Sequence, residues 1–342
     1  MKTSTARRAG MLALVLAAGA FTLLPRTFAK AQGDSANRAP RVTALFSAAD
    51  MPHTERVVAV GQRLFVTSDA NLFEVLDEPH GKLRKVSIAQ ASVTLGDGQS
   101  VPAAFLALAA HGRVLYATAT AFTEATIPYA SMLYRIELGA RPGEVASIES
   151  TPFTGHATPF LPNGMAVDRD GDIFMSNSFS AATGEAAIVK IKVRLRPFAF
   201  RESNWLLADQ GGAFPNGVQL DGNTLYLASL SALLRVTIER EGNAGQVSTL
   251  YAANPDDFLD DFAVRGNELV VCEIDNPFAP PVSSTSQLTV VSKTGPSSGT
   301  VTKVVPLAAA GVHPSSVIKE GASHGELLVT DYGSGGLYSV SF

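Results

Sequence analysis

The sequence predicts an all-β protein, a six-bladed β-propeller in which an N-terminal strand closes the last blade. One unit recurs six times: an entry turn, an apolar strand, a polar turn and a second apolar strand. The units begin at Thr54, Val101, Leu161, Phe214, Leu259 and His313. They are 45 to 60 residues apart, which suits one four-stranded sheet per unit. No long amphipathic helix is visible in the mature chain, which also favours a propeller.

The first 31 residues have the features of a signal peptide. Arg7 and Arg8 precede an apolar run, and Ala29-Lys30-Ala31 fits the small-x-small pattern of a signal peptidase site. The apolar run is too short to span a bilayer. We therefore predict a signal peptide over 1–31, a flexible leader over 32–40 and the propeller over 41–342. The mature protein is expected to be secreted or periplasmic, with no membrane segment.

The two ends of the propeller are expected to meet in one blade. The chain ends at Phe342, after the third strand of the sixth unit. The segment RVTALFSA at 41–48 is similar to QVSTLYAA at 246–253, which is predicted to be a fourth strand. We expect 41–48 to supply the missing outer strand, because closure pairs an otherwise open sheet edge.

Composition excludes several classes of function. The net charge is −4 and no basic patch is present, so nucleic acid is not an expected partner. Cys272 is the only cysteine, which excludes an internal disulfide and a cysteine-rich zinc site. Within VVCEI it is expected to be a small buried side chain. We expect a monomer that acts on a small molecule.

Oxygen-bearing side chains recur where the inner strands are predicted to begin. Aligned on the strand entrances, the six positions are Glu55, Ala103, Asn163, Asn216, Asp260 and Ser315. In a propeller these positions ring one mouth of the central channel. Carboxylates and amide oxygens are ligands that calcium prefers. Each Pro-Asn-Gly is also a common turn signal. Oxygen-bearing side chains at equivalent strand positions of four different blades favour a metal site over four unrelated turns.

The same residues carry a resemblance. The stretches LPNGMAVDRDGDIFMSNS, FPNGVQLDGNTLYLASL and FLDDFAVRGNELVVCE resemble the calcium-dependent propeller hydrolases of the senescence-marker/gluconolactonase and paraoxonase groups. In that superfamily a Glu, two Asn and an Asp bind the catalytic calcium. The resemblance implies that Glu55, Asn163, Asn216 and Asp260 are the metal ligands here. Asp261 matches a further ligand position of paraoxonases.

The chain departs from that superfamily at two positions. Arg56 stands where paraoxonases have an acidic residue for a second, structural calcium, so that second site is not expected. Ala103 stands where paraoxonases carry a histidine and lactonases carry polar residues that bind substrate.

The predicted function is an exported, metal-dependent hydrolase of lactones or esters. The ion would polarise the carbonyl for attack by water. Asp261 and His313 are the candidate catalytic residues, and His156 is a further candidate base. The alternative is a non-catalytic propeller that binds a ligand or protein partner and has a structural calcium. A metal-free propeller similar to strictosidine synthase is a third candidate, which the acidic ring disfavours. A serine hydrolase is disfavoured because no Gly-x-Ser-x-Gly motif is present.

Overall fold

The computed structural model describes residues 39–123, 127–157, 159–277, 285–293, 299–319 and 326–342. These residues form six four-stranded antiparallel sheets and one two-stranded hairpin. The innermost strands of the six sheets contact one another in a closed ring, each touching the inner strand of the next sheet. The predicted all-β, six-bladed propeller is therefore confirmed.

The strands run from the channel outward in each of blades 1 to 5. The first strand of the structure is β1 (Arg41–Phe46). Blade 1 contains β2 (Thr54–Val60), β3 (Arg63–Ser68), β4 (Asn71–Glu78) and β5 (Lys82–Gln90). A hairpin follows, formed by β6 (Ser92–Thr94) and β7 (Ser100–Pro102). Blade 2 contains β8 (Ala104–His111), β9 (Val114–Thr123), β10 (Ile127–Leu138) and β11 (Val145–Pro152). Blade 3 contains β12 (Pro162–Val167), β13 (Ile173–Asn177), β14 (Ile188–Leu195) and β15 (Phe198–Leu206).

The remaining blades repeat this order. Blade 4 contains β16 (Pro215–Asp221), β17 (Thr224–Ser229), β18 (Ala232–Ile238) and β19 (Ala244–Ala252). Blade 5 contains β20 (Asp257–Arg265), β21 (Glu268–Asp275), β22 (Ser286–Ser292) and β23 (Val301–Pro306). Blade 6 contains β24 (Pro314–Lys319), β25 (Leu327–Asp331) and β26 (Leu337–Ser341). The helical segments are short: α1 (Ser180–Thr183) and 3₁₀ turns at Pro79–Gly81 and Ala308–Ala310.

Blade 6 is completed by the N-terminal strand. β1 pairs antiparallel with β26, with Arg41 opposite Ser341 and Ala44 opposite Tyr338. The sheet order is β1-β26-β25-β24, which confirms the predicted closure. The predicted signal peptide over 1–31 lies outside the described residues, as does most of the leader. Within the part of the chain that the structure describes, no helix is long and apolar enough to cross a membrane.

The core lies between neighbouring blades. One cluster packs Phe65 and Leu72 of blade 1 against Leu115 and Ala117 of blade 2. Cys272 of blade 5 is fully buried in a cluster that also holds residues of blade 6, in agreement with the sequence. Because each middle strand is covered on both faces, it is apolar at consecutive positions rather than at alternate ones.

Candidate functional site

The inner strands share a β-bulge at the positions that the sequence singled out. In blade 1, Thr54 pairs with Ser68 but Val57 pairs with Val66, so two residues of β2 face one residue of β3. The same shift occurs at 163–164, 216–217 and 260–261. A bulge re-aims side chains. The recurring bulge sets the local backbone at the predicted ligand positions, next to the channel.

The bulge also corrects the sequence alignment in blade 2. Phe105 pairs with Ala119 and Leu108 pairs with Ala117, so the equivalent residues are Leu106 and Ala107. Ala103 precedes the strand. The hairpin formed by β6 and β7 ends in Pro102. The sequence alignment took this proline for the entry proline that precedes the inner strand in other blades.

Buried hydroxyl groups bind the backbone groups that the bulges leave unpaired. In blade 3, Ser176 Oγ accepts a hydrogen bond from the Gly164 N–H at 2.7 Å and donates to the carbonyl of Asn216 in blade 4 at 2.6 Å. Thr118 of blade 2 donates in the same way to the Pro162 carbonyl at 3.0 Å. Each hydroxyl thus links one bulge to the next inner strand.

The glycine after each asparagine is required by close approach of neighbouring strands. Neither Gly164 nor Gly217 has a positive φ, so they are not turn residues. A Cβ on Gly164 would lie 2.0 Å from the Asn216 carbonyl oxygen. A Cβ on Gly217 would lie 2.5 Å from Asp261 Oδ1 and 2.7 Å from Asp261 Cα. The Pro-Asn-Gly motif therefore marks close packing at the axis and not a tight turn.

The guanidinium group of Arg56 lies at the centre of the site. Its Nη2 donates hydrogen bonds to Oδ1 of Asn163 at 3.2 Å and to Oδ1 of Asn216 at 2.7 Å. Its Nη1 lies 2.7 Å from Asp261 Oδ2. Arg56 is only 4% exposed. One side chain from blade 1 thus joins blades 3, 4 and 5 across the axis.

The acidic residues of blade 5 are held by this network. Asp261 also accepts a hydrogen bond from Ser316 Oγ at 2.7 Å. Asn216 Nδ2 donates to Asp260 Oδ1 at 2.6 Å. Ser315, the ring position of blade 6, donates instead to a backbone carbonyl of blade 1. The structure therefore brings together Asn163, Asn216 and Asp260.

Glu55 and Asp260, which we call the carboxyl pair, are both buried at the starts of their inner strands, and the charge of Glu55 acts on Asp260. Burial raises the pKa of Glu55 to about 7, against the lowering effect of Arg56. Burial, together with the charge of Glu55, also raises the pKa of Asp260 well above its usual range. Each of these two residues is 7% exposed. Burial alone would lower the pKa of Arg56, but the charges of Asp261, Glu55 and Asp260 raise it, so the guanidinium stays cationic.

Apolar side chains surround the mouth above these groups. Leu106, Leu161 and Phe179 pack together, with Phe122 and Phe214 against them. The ring of Phe214 lies 5.8 Å from that of Phe179 and 5.8 Å from that of Phe258. We call Phe122, Phe179, Phe214 and Phe258 the aromatic rim. Phe214 has a φ of +53°, which is strained for a bulky side chain and is most often found at functional sites.

Tyr332 adds a polar group to the same mouth. Its side chain is half-exposed. Partial burial and the charges of Glu55, Asp260 and Asp69 raise its pKa to about 12. The phenol therefore stays protonated at neutral pH and can donate a hydrogen bond.

Arg56 separates the mouth from the rest of the channel. On its far side lies a cavity of about 250 Å³, lined by Arg56, Asp261 and small side chains of the inner strands such as Ala59, Ala109 and Ala166. The carboxyl pair and the aromatic rim belong to the end at which the inner strands begin.

The candidate bases occupy different settings. Oδ2 of Asp261 is engaged by Arg56 Nη1 and by the hydroxyl of Ser316. His313 is exposed, and none of the hydrogen bonds among the described residues joins it to the axial group. His156 is clamped between Glu185 and Glu202, the latter on the outer strand of blade 3.

Calcium does not fit these side chains while Arg56 lies between them. Calcium takes six to eight oxygen ligands. The side-chain oxygens of Asn163 and Asn216 already accept from Arg56, and Asp261 is paired with it. Among the described residues, no group of three or more His, Cys, Asp or Glu side chains is arranged to hold a metal. Sequence reasoning missed the role of Arg56, although two adjacent charges at the start of a buried strand are a signal for it.

No model of a protein family and no curated protein matches the chain. Among solved structures, it is similar to a luciferin-regenerating enzyme, with a TM-score of 0.59 and 12% identity over 89% of this chain and 96% of that one. It is also similar to a protein of unknown function from Bacteroides caccae, with a TM-score of 0.50 and 12% identity over 77% of this chain and 85% of that one. At these identities the likeness shows the propeller fold alone, so the function is argued from the site.

Proposed function

We propose that the chain is a hydrolase of small lactones or esters, with Glu55 and Asp260 as its acid and base. The observation that carries the proposal is the pair of buried carboxyl groups at the channel mouth, beside a guanidinium and below an apolar rim. Ligand sites combine apolar walls with a few convergent polar groups in this way. Buried carboxyl groups with raised pKa values are a recurring acid–base arrangement.

The aromatic rim would hold the apolar part of the substrate. The ionised carboxylate of the pair takes a proton from water while the water oxygen bonds to the carbonyl carbon. The protonated carboxyl group gives its proton to the departing alkoxide oxygen as the ester bond breaks. The products are one carboxylic acid and one alcohol, or one hydroxy acid from a lactone. Tyr332 and the charge of Arg56 would stabilise the negative oxygen that forms during attack.

The calcium ion that the resemblance implies has no step in this proposal. The alternative, a propeller that binds a ligand without turning it over, is favoured by one observation. The charge of Arg56 is already matched by Asp261, and its Nη2 already donates to two asparagine oxygens. In that case the mouth would bind a small apolar molecule and leave it unchanged.

Turnover of a panel of small lactones and aryl esters by the mature protein tests the proposal. We expect hydrolysis by the wild type, and a loss of about 100-fold or more in Glu55→Gln, as for removal of a general acid or base. Glutamine is close in size to a protonated glutamate, so the variant should fold. Glu78→Gln, at an exposed position of β4, is the matched control and should retain the wild-type rate.

The outcomes separate the two functions. If the wild type hydrolyses no member of the panel but binds one of them, the non-catalytic alternative holds. If Glu55→Gln hydrolyses esters as fast as Glu78→Gln does, the carboxyl pair is not the acid–base group.

A further inference from the structure

We infer that the guanidinium of Arg56 is the resident cation of the axial site and takes the place of a divalent metal there. The native protein is therefore metal-independent. The inference goes beyond the proposed function, and it applies equally to an enzyme and to a binding protein.

Arg56 already occupies the space between the two asparagine oxygens. Oδ1 of Asn163 and Oδ1 of Asn216 both point at one nitrogen, Nη2 of Arg56. Amide oxygens that bind calcium lie about 2.3–2.6 Å from the ion. The guanidinium nitrogen lies 3.2 and 2.7 Å from the same two oxygens. An ion bound by both oxygens would therefore overlap the guanidinium group.

The charge of Arg56 also opposes a metal ion at this site. Nη1 of Arg56 lies 2.7 Å from Asp261 Oδ2, and the two side chains are 4% and 6% exposed. A divalent ion at the neighbouring oxygens would face a permanent positive charge a few ångströms away, with little water to screen it. The same carboxylate that would attract the ion is already neutralised by Arg56.

Arg56 is held in a fixed position at the axis. It occupies the bulge of β2, and its backbone N–H donates to Thr67 Oγ1 at 2.9 Å. If the side chain swung away, Asp261 would be left buried, with the hydroxyl of Ser316 as its remaining side-chain donor among the described residues. Removing one partner of a buried ion pair is strongly destabilising. The fold therefore selects the conformation in which Arg56 lies between the side-chain oxygens of Asn163, Asn216 and Asp261.

The first test uses the wild-type mature protein. Metal content is measured by elemental analysis, and the melting temperature is measured with EGTA and then with millimolar calcium, magnesium or manganese. We expect substoichiometric metal and the same melting temperature in every condition. One tightly bound metal ion per chain, whose removal lowers the melting temperature, would overturn the inference.

The second test asks whether the axial oxygen-bearing side chains bind calcium once Arg56 is removed. Arg56→Ser leaves the five oxygen-bearing side chains in place: Glu55, Asn163, Asn216, Asp260 and Asp261. We expect calcium at a hundredfold excess over its Kd to raise the melting temperature of this variant by about 5 °C. Arg56→Lys keeps the positive charge and is the matched control, which calcium should not shift. Adding Asp260→Asn to Arg56→Ser should remove the gain.

A folded Arg56→Ser variant that does not respond to calcium would contradict the inference, as would an Arg56→Lys variant that binds calcium. If Arg56→Ser does not fold, the wild-type measurements still decide. No experiment of this pair reads turnover, so an inactive protein would refute the proposed hydrolase and leave this inference standing.

Discussion

Replacing Asp261 by asparagine tests how strongly the axial ion pair stabilises the propeller. The side chain is 6% exposed, and its carboxylate lies 2.7 Å from Arg56 Nη1 and accepts a hydrogen bond from Ser316. Asparagine keeps the size of the side chain but removes its charge, so Arg56 is left buried without its ion-pair partner. The loss of one partner from a buried pair costs about 3–5 kcal/mol. We expect the free energy of unfolding of Asp261→Asn to fall by that amount.

Thermal and urea denaturation followed by circular dichroism measure this effect. For a domain of this size, the loss corresponds to a decrease in melting temperature of about 6–10 °C. The urea m-value should not change, because the same surface is exposed on unfolding. Glu78→Gln is the control, since Glu78 and Arg84 form an exposed pair worth less than about 1 kcal/mol.

The double variant Arg56→Met/Asp261→Leu sharpens the test. It removes both members of the ion pair together, so neither is left buried without the other, and it should be more stable than Asp261→Asn alone. The reasoning is refuted if Asp261→Asn is as stable as Glu78→Gln, because Arg56 would then not depend on this carboxylate.

Two further predictions concern crowding and pH. Gly217→Ala should destabilise the fold by several kcal/mol in urea denaturation, because its Cβ would lie 2.7 Å from the backbone of Asp261. Gly96→Ala is the control and should be nearly neutral, because nothing lies within 4 Å of its Cβ. Equal stability of the two variants would refute the crowding. Burial alone would lower the pKa of His156, but its two glutamate partners outweigh burial and raise it above 6.5. The clamp therefore stabilises the fold fully below pH 6.5, and this contribution is lost as pH rises through the native pKa. His156→Gln should remove this pH dependence of stability, and an unchanged pH profile would contradict the role given to the clamp.

The fold was predictable because its signals are local and repeated. Strand, turn and strand recur in every blade, and the likeness of 41–48 to 246–253 identified the closing strand, which pairs with β26. The register of blade 2 was not predictable in the same way. Pro102 ends an inserted hairpin, and only the pairing of β8 with β9 shows that Leu106 occupies the ring position.

The candidate site was predictable only in part. The sequence identifies Asn163 and Asn216 at equivalent strand entrances, because position along a strand is a local property. The group to which their oxygens are bound depends on Arg56, which comes from another blade and lies more than 100 residues away along the chain. Contacts of that range follow from the closure of the ring and not from any short motif. The metal role of Glu55, Asn163, Asn216 and Asp260 stays a prediction.

A high-resolution crystal structure of the mature protein, grown in millimolar calcium, tests the account most directly. The account predicts planar guanidinium density between Oδ1 of Asn163 and Oδ1 of Asn216, with no ion at the axis. A spherical peak with oxygen ligands at about 2.3–2.6 Å, and Arg56 displaced from Asp261, would contradict it.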